Sequence, residues 1–325
     1  MEFLSQPTVA IAVIEVLLGI LLLTKAADEF VEGAVNVSGA VKISPVVIGA
    51  VVVGFGTSAP ELLVSGIAAS NGDLDIGVGN VVGSNVANLT LVLGAVALIV
   101  PLFVSKAVVA REAPLSLFAV VLFAVFTIGG LSRLEGFVLL AVLAGTLAWI
   151  IIGGQAPPSD VEVEADASLG REGFRTFIGL VGTVAGAQLL VWGAEAIAEA
   201  IGITGGMVGF TLIAVGTSLP ELVTGIVAAR KGETELILGN LLGSNMFNSL
   251  AVGGVIAIIA DSAIEDRGLA TVGIVAMVLV TAAAWMFMVT RRKVDRFEAV
   301  ILLVAYLVTV FILNSESTGI ETALR

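Results

Sequence analysis

The ten residues GTSAPELLVS, from Gly56 to Ser65, return as GTSLPELVTG, from Gly216 to Gly225, and this duplication indicates an internal repeat. Each copy places a carboxylate, two or more hydroxyls and a proline inside a strongly apolar stretch. With 58% apolar residues, 13% charged residues and a mean hydropathy of +1.11, the chain lies far outside the range of soluble proteins. The sequence therefore predicts an integral membrane protein.

Apolar runs that are long enough to cross a bilayer recur along the whole chain. A transmembrane helix needs about 20 residues, whereas barrel strands alternate apolar and polar residues over about ten residues, a pattern that these runs lack. The first run has no cationic segment before it and no cleavage site after it, so we interpret it as a retained helix. The sequence predicts an all-α polytopic membrane protein with ten transmembrane helices, at 8–27, 43–70, 76–104, 107–130, 136–153, 174–199, 205–229, 235–260, 269–290 and 297–313.

Lysine and arginine residues orient these ten spans. With the N-terminus outside, the inner loops hold 12 of the 15 basic residues and the outer loops hold only Arg133, Arg267 and Arg325, as the positive-inside rule requires. Both termini are therefore predicted to be extracytoplasmic, in a multi-pass protein of the cell membrane. The longest loop, 153–173, is polar and contains proline, which favours a cytoplasmic linker between two halves.

The two copies of the motif belong to a longer internal repeat with a fixed offset of 160 residues. Residues 47–94 and 207–254 share 18 identities in 48 positions without a gap, and each copy ends in a second polar motif, GNVVGSNVAN or GNLLGSNMFN. Five spans separate equivalent positions, and because five is odd, the second copy enters the membrane in the opposite sense. The sequence predicts two inverted five-helix repeats, 1–152 and 174–325, whose motifs meet near the midplane.

Pro60 and Pro220 make backbone carbonyl oxygens available. A proline has no N–H, so the carbonyl four residues earlier, of Gly56 or Gly216, loses its helical partner and the helix bends nearby. Carbonyl groups freed at membrane depth are tolerated where they are buried in protein or line a polar cavity. A cation is a natural partner for such oxygens.

The side chains near these prolines form a set of oxygen ligands. Thr57 and Ser58 precede Glu61 by four and three residues, which predicts that hydroxyls and carboxylate share one face of the helix after the bend. In the second motif, Ser84 and Asn88 lie on one stripe beside glycines, so helices two and three of each repeat are expected to press together. The second copy repeats this set with Thr217, Ser218, Glu221, Ser244 and Asn248.

The duplicated glutamates indicate a cation site. A single Ser, Thr or Asn in an apolar helix usually serves structure, but intramembrane carboxylates are costly and mark function. Ca²⁺ takes about six to eight oxygen ligands, and two glutamates match its charge; Na⁺ accepts the same neutral oxygens. The chain has no cysteine and no histidine, which argues against zinc or copper.

These motifs resemble the two alpha repeats of the cation/calcium antiporter superfamily, and more closely its sodium/calcium exchanger branch in the prokaryotic form. The resemblance covers nearly the whole chain. It implies that Ca²⁺ and Na⁺ bind alternately at Glu61 and Glu221, together with the backbone oxygens of Thr57 and Thr217. It implies further sodium ligands from Ser58, Ser84, Ser218, Ser244 and the carbonyl groups of Gly54 and Ala214.

The resemblance also implies a mechanism. Asn88 and Asn248 stand where some relatives have aspartate, and because an aspartate at 248 is associated with potassium-dependent exchange, Asn248 implies that K⁺ is not required. Access would alternate as spans one and six slide across the core, helped by Gly19, Gly182 and Gly186. The sodium gradient would supply the energy, since the chain has no phosphate-binding loop for ATP.

Three other functions stay open at this point. Proton/calcium exchange would use the glutamates as proton carriers, a cation channel would line a pore with acidic side chains, and an intramembrane hydrolase would activate water between paired carboxylates. The hydroxyl and amide groups favour ion binding over hydrolysis, so no enzymatic activity and no cofactor are expected. A net charge of −12 argues against nucleic acid. The expected partners are Ca²⁺, Na⁺ and the lipid bilayer, with no obligate protein partner.

Overall fold

The structure is a computed structural model, and it describes residues 7–153, 168–200, 216–260, 264–266 and 268–323. It is almost entirely helical. Within the described ranges, five π-helical turns join or extend helices: Gly49–Val53, Asn88–Val92, Val108–Glu112, Asn248–Val252 and Leu269–Gly273. The helices are α1 (Pro7–Val41), α2 (Pro45–Ile48), α3 (Gly54–Thr57), α4 (Ala59–Ser70), α5 (Leu74–Ala87), α6 (Leu93–Ile99), α7 (Ala113–Phe126), α8 (Arg133–Gly153), α9 (Leu169–Ala200), α10 (Leu219–Lys231), α11 (Thr234–Phe247), α12 (Gly253–Ala260), α13 (Ile274–Arg291) and α14 (Arg296–Ala323).

The predicted polytopic helical fold is confirmed. Among the described residues, eight helical stretches are long and apolar enough to cross a membrane, and the bent pair Pro45–Thr57 and Ala59–Ser70 makes a ninth. The predicted span 205–229 begins among residues that the structure leaves undescribed, and only its second half is seen, as α10. The described helices therefore give a count of eight or nine rather than ten.

Several helix boundaries differ from the sequence prediction. The first helix runs to Val41 rather than ending at residue 27, because Phe30, Val31 and Ala34 continue a fully buried stripe beyond the apolar run. Helix α9 begins at Leu169, inside the predicted linker. A short antiparallel pair was not predicted either: β1 (Leu102–Phe103) lies beside β2 (Lys293–Val294).

Helices α1 and α9 form one closely packed pair. A Cβ atom added at Gly179 would lie 2.5 Å from the backbone nitrogen of Phe30, and one added at Gly186 would lie 2.5 Å from that of Leu23. Small residues allow this backbone-to-backbone approach. Gly19 and Gly182 lie in the same interface, so the glycines that the sequence associated with sliding hold α1 and α9 against each other.

The two halves of the chain interlock through a second set of glycines. A Cβ atom at Gly239 would collide with the carbonyl oxygen of Val46, and one at Gly243 with that of Ala50. Helix α11 of the second repeat thus packs directly on α2 and α3 of the first repeat. Helices two and three of the same repeat also touch, through α4 and α5, as predicted, but the contact across the repeats was not predicted.

Candidate cation-binding site

Each first motif breaks its helix at a serine. Ser58 has φ −84° and ψ 4°, and Ser218 has φ −87° and ψ 3°. The prolines follow in the first turns of α4 and α10, where a missing N–H removes no helical hydrogen bond. In the first copy the helix axis turns by 42° at this break, so the bend predicted from Pro60 is confirmed.

The break corrects one detail of the sequence analysis. Thr57 is the last residue of α3 and Ser58 is the break itself, so neither lies on the helix that carries Glu61. The physical reason is that the backbone leaves the helical conformation at Ser58, and a new helix begins at Ala59 with Pro60 in its first turn, where the missing N–H removes no hydrogen bond. The hydroxyl of Thr57 donates back to the carbonyl oxygen of Val53 at 3.1 Å.

Glu61 and Glu221 lie in the first turns of α4 and α10 with no exposed surface. Helix N-termini stabilise negative charge. Ser244 donates to Oε1 of Glu221 at 3.3 Å, but Oε2 of Glu221 and both carboxylate oxygens of Glu61 have no hydrogen-bond partner among the described residues. A buried carboxylate is unstable unless its negative charge is compensated. A bound cation would compensate the charge of both glutamates.

Hydroxyl and amide groups connect the two repeats around the glutamates. The hydroxyl of Thr57 lies 3.1 Å from Oδ1 of Asn240 and 3.2 Å from the hydroxyl of Ser244. The Ser244 hydroxyl oxygen also lies 3.3 Å from the carbonyl oxygen of Gly54. Each first motif therefore contacts the second motif of the other repeat.

The mirror contacts follow the same rule. The hydroxyl groups of Ser84 and Thr217 lie 3.4 Å apart, and that of Thr217 lies 3.5 Å from Oδ1 of Asn80. Ser84 and Thr217 lie near Glu61, and the two glutamates are close enough for their charges to interact. The structure thus brings together polar residues of both motifs from both halves of the chain.

Unpartnered polar atoms concentrate at this site. Native proteins keep few buried polar atoms without a hydrogen bond. Among the described residues there are twelve such side-chain atoms, and nine belong to the two motif copies. Eight of the nine are oxygens, which is the donor set that Ca²⁺ and Na⁺ prefer over softer metals. They belong to Ser58, Glu61, Asn85, Asn88, Ser218, Glu221 and Asn248.

Four asparagines of the site were not selected as ligands from the sequence. Asn80 donates to Ser65 at 2.9 Å and to the carbonyl of Glu61 at 3.3 Å, while Asn240 donates to Thr224 at 3.4 Å. Asn85 and Asn245 are also fully buried there. Their identity in both motif copies was the available signal. Ala214, a predicted ligand, lies outside the described residues.

A cavity of about 210 Å³ adjoins the site. It lies between α9 and the start of α4, and it reaches Thr217. Gln188 and Trp192 of α9 line its wall, opposite Pro60. The cavity therefore lies between α9 and the segments next to the two helix breaks.

Charged side chains join the α1–α9 pair to α10. Arg175 of α9 binds Glu29 at 2.5 Å and Glu32 at 2.7 Å. Lys231, at the end of α10, binds Asp28 at 2.8 Å and Glu32 at 3.0 Å. We call these five residues the ionic cluster. It links the helix that begins beside Glu221 to the paired helices α1 and α9.

Comparisons with known proteins give a consistent result. The family described as sodium/calcium exchanger protein matches residues 11–152 and 174–314. The chain is 38% identical over 311 residues to the putative antiporter CaxA of Alkalimonas amylolytica, covering 91% of this chain and 97% of that one. It is 31% identical over 340 residues to the sodium/calcium exchanger MaX1 of Methanosarcina acetivorans, with the same two coverages.

A solved structure matches over the same extent. The sodium-calcium exchanger NCX_Mj, soaked with Na⁺ and Ca²⁺, has a TM-score of 0.83 and 33% sequence identity to this chain. The match covers 92% of this chain and 97% of that one. The similarity therefore extends over nearly the whole length of both chains.

Proposed function

Since this chain belongs to the sodium/calcium exchanger family, we propose that it is a secondary active antiporter that exchanges Na⁺ for Ca²⁺. The observation that carries this proposal is the concentration of unpartnered, buried oxygens around Glu61 and Glu221. Two relatives whose names state sodium/calcium exchange, MaX1 and NCX_Mj, support the choice of ions.

We propose that the whole chain has ten transmembrane helices in two inverted five-helix repeats, 1–152 and 174–325, joined by the cytoplasmic linker 153–173. Identical helix breaks at Ser58 and Ser218 and the reciprocal contacts between motifs support this plan. The distribution of lysine and arginine supports extracytoplasmic termini in the cell membrane.

The ions share one site in this proposal. Glu61 and Glu221 bind Ca²⁺ together with the backbone oxygens of Thr57 and Thr217. Binding of either ion neutralises the same two carboxylates, so the site holds Ca²⁺ or Na⁺ but not a full set of both. This competition couples the two fluxes. The proposed sodium ligands are Ser58, Ser84, Ser218, Ser244 and the carbonyls of Gly54 and Ala214, with Asn88 and Asn248 completing the site.

Access to the site alternates as the α1–α9 pair moves against the core. The close packing of α1 on α9 supports their movement as one unit, and the cavity beside Pro60 and Thr217 supports an ion route between this unit and the helix breaks. The sodium gradient drives the movement of Ca²⁺.

Proton/calcium exchange is the second candidate. Protons would also neutralise the buried carboxylates of Glu61 and Glu221, whose unpartnered oxygens favour any positively charged ligand. A pH gradient would then replace the sodium gradient.

Transport into liposomes tests the proposal. Vesicles that contain the purified protein and Na⁺ are diluted into sodium-free, potassium-free medium, and uptake of labelled Ca²⁺ is followed. We expect uptake that depends on the sodium gradient in the wild type and is lost in Glu61→Gln and Glu221→Gln. Glu112→Gln is the matched control, because Glu112 is a buried acid outside the two motifs. Uptake driven only by a pH gradient would instead favour proton exchange.

A further inference from the structure

We propose that Asn245 sets the orientation of the Asn88 side-chain amide, so that Asn88 directs its carbonyl oxygen, and not its NH₂ group, to the cation. Asn245 is a positioning residue in this proposal: it acts through Asn88. The inference rests on the proposed function only in taking the site to bind cations.

The orientation of Asn245 follows from a main-chain contact. Its Nδ2 atom donates to the backbone carbonyl oxygen of Asn85 at 3.1 Å. A carbonyl oxygen can only accept a hydrogen bond, so Asn245 must present its NH₂ group to Asn85. Its Oδ1 atom consequently faces the other way.

The orientation of Asn88 follows from that of Asn245. Nδ2 of Asn88 donates to Oδ1 of Asn245 at 3.0 Å, and because Oδ1 can only accept, Asn88 must present its nitrogen there. Oδ1 of Asn88 then points away from Asn245, and it has no hydrogen-bond partner among the described residues. The main chain at residue 85 thus determines, through two hydrogen bonds, which atom of Asn88 is left for a ligand.

A reversed orientation of the Asn88 amide would be unfavourable for two reasons. Two carbonyl oxygens would face each other at the contact with Asn245, and N–H groups would face a cation. All three asparagines are fully buried, so water does not compensate the loss of either hydrogen bond.

We call the two hydrogen bonds that join the Asn85 carbonyl, Asn245 and Asn88 the relay. The equivalent position of the second repeat lacks this relay. Asn85 corresponds to Asn245 by the offset of 160, but it donates to Ser249 at 2.9 Å and to the sulfur of Met277 at 3.3 Å. Asn248, which corresponds to Asn88, has neither polar side-chain atom in a hydrogen bond with any described residue. The two repeats therefore treat their ligand asparagines differently: Asn88 is fixed and Asn248 is not.

Binding calorimetry with Ca²⁺ on the purified full-length protein tests the relay. We expect Asn245→Leu to raise the Kd for Ca²⁺ about tenfold, the effect of one misoriented ligand in a buried site. Ser249→Ala is the matched control, because it removes a buried hydrogen bond of Asn85 without touching Asn88. The control is expected to keep the Kd within about twofold of the wild type.

A second background separates positioning from packing. In Asn88→Asp both side-chain oxygens are equivalent, so no orientation is needed, and Oδ1 of Asn245 would repel a carboxylate oxygen. We therefore expect Asn245→Leu to leave the Kd unchanged or to lower it in the Asn88→Asp protein, which is the opposite of its effect in the wild type.

The same tenfold loss in both backgrounds, an unchanged Kd for Asn245→Leu in the wild type, or an equal loss in Ser249→Ala would overturn the proposal. If Asn245→Leu yields too little folded protein, Asn245→Ala removes the same two hydrogen bonds without added bulk. Calorimetry does not depend on sodium coupling. A wild type that binds Ca²⁺ without sodium-driven uptake would contradict the proposed function and still allow this test.

Discussion

Gly243→Ala is predicted to damage the site by separating the two repeats. A Cβ atom at this position would lie 2.5 Å from the Cα atom of Ala50 and closer still to its carbonyl oxygen. Ordinary contacts begin near 3.4 Å, so α11 must move from α2 and α3 by about 1 Å. Both neighbouring groups are backbone atoms, which cannot turn aside as a flexible side chain can.

The displacement reaches the ligands directly, because Ser244 follows Gly243. Ser244 lies 3.3 Å from the carbonyl of Gly54 and 3.2 Å from Thr57, and an added separation of about 1 Å breaks both contacts. Overpacking costs about 1–3 kcal/mol, and each lost hydrogen bond about 0.5–1.5 kcal/mol. We expect a lower thermal unfolding temperature and a higher half-saturating concentration of Ca²⁺ for uptake.

Gly145→Ala is the matched control. An added Cβ atom at Gly145, in α8, meets no atom within 4 Å, and alanine has the higher helix propensity. This variant should unfold at the same or a slightly higher temperature and keep normal uptake. If Gly243→Ala behaved like the control in both assays, the close contact between α11 and the first repeat would not determine the geometry of the site.

Three further predictions use other parts of the structure. Lys231→Gln removes two ion pairs of the ionic cluster. Because the members of the cluster are partly exposed, the free energy of unfolding in low salt should fall by less than about 1 kcal/mol, and high salt should abolish the difference. A large, salt-independent decrease in the free energy of unfolding would contradict this. Ser84→Ala and Ser244→Ala should raise the half-saturating Na⁺ concentration more than that of Ca²⁺ in exchange assays, and equal shifts would remove their sodium role. Gly179→Val should lower the unfolding temperature strongly because its side chain would meet the backbone of α1, whereas an unchanged temperature would mean that α1 and α9 are not held together there.

The sequence was sufficient for the polytopic helical fold and for the two motifs whose residues meet at the candidate site. Apolar runs of bilayer length identify helices because water is absent from the membrane core. The duplicated glutamates Glu61 and Glu221 indicate the site, because a charge at that depth is costly. The proline rule located the break in the first motif within two residues of where it occurs, at Ser58.

Other features depended on contacts between distant parts of the chain. Helix α1 continues to Val41 because α9 covers its buried face there, and the apolar run alone ends earlier. The Thr57 side chain forms a hydrogen bond with Asn240 of the other repeat. The spacing of residues within one motif does not predict that pairing. The relay from Asn85 through Asn245 could not be predicted for the same reason. The same asparagines occur in both motif copies and suggest symmetric contacts, but Asn245 and Asn85 have different partners.

In the proposed exchange, Na⁺ and Ca²⁺ compete for the paired glutamates, and equilibrium binding of labelled Ca²⁺ to the purified protein measures this competition. We expect that added Na⁺ displaces Ca²⁺ at constant pH and ionic strength, that K⁺ does not, and that Glu61→Gln and Glu221→Gln each abolish high-affinity binding. Calcium binding that Na⁺ leaves unchanged, but that protons displace, would contradict sodium/calcium exchange at this site.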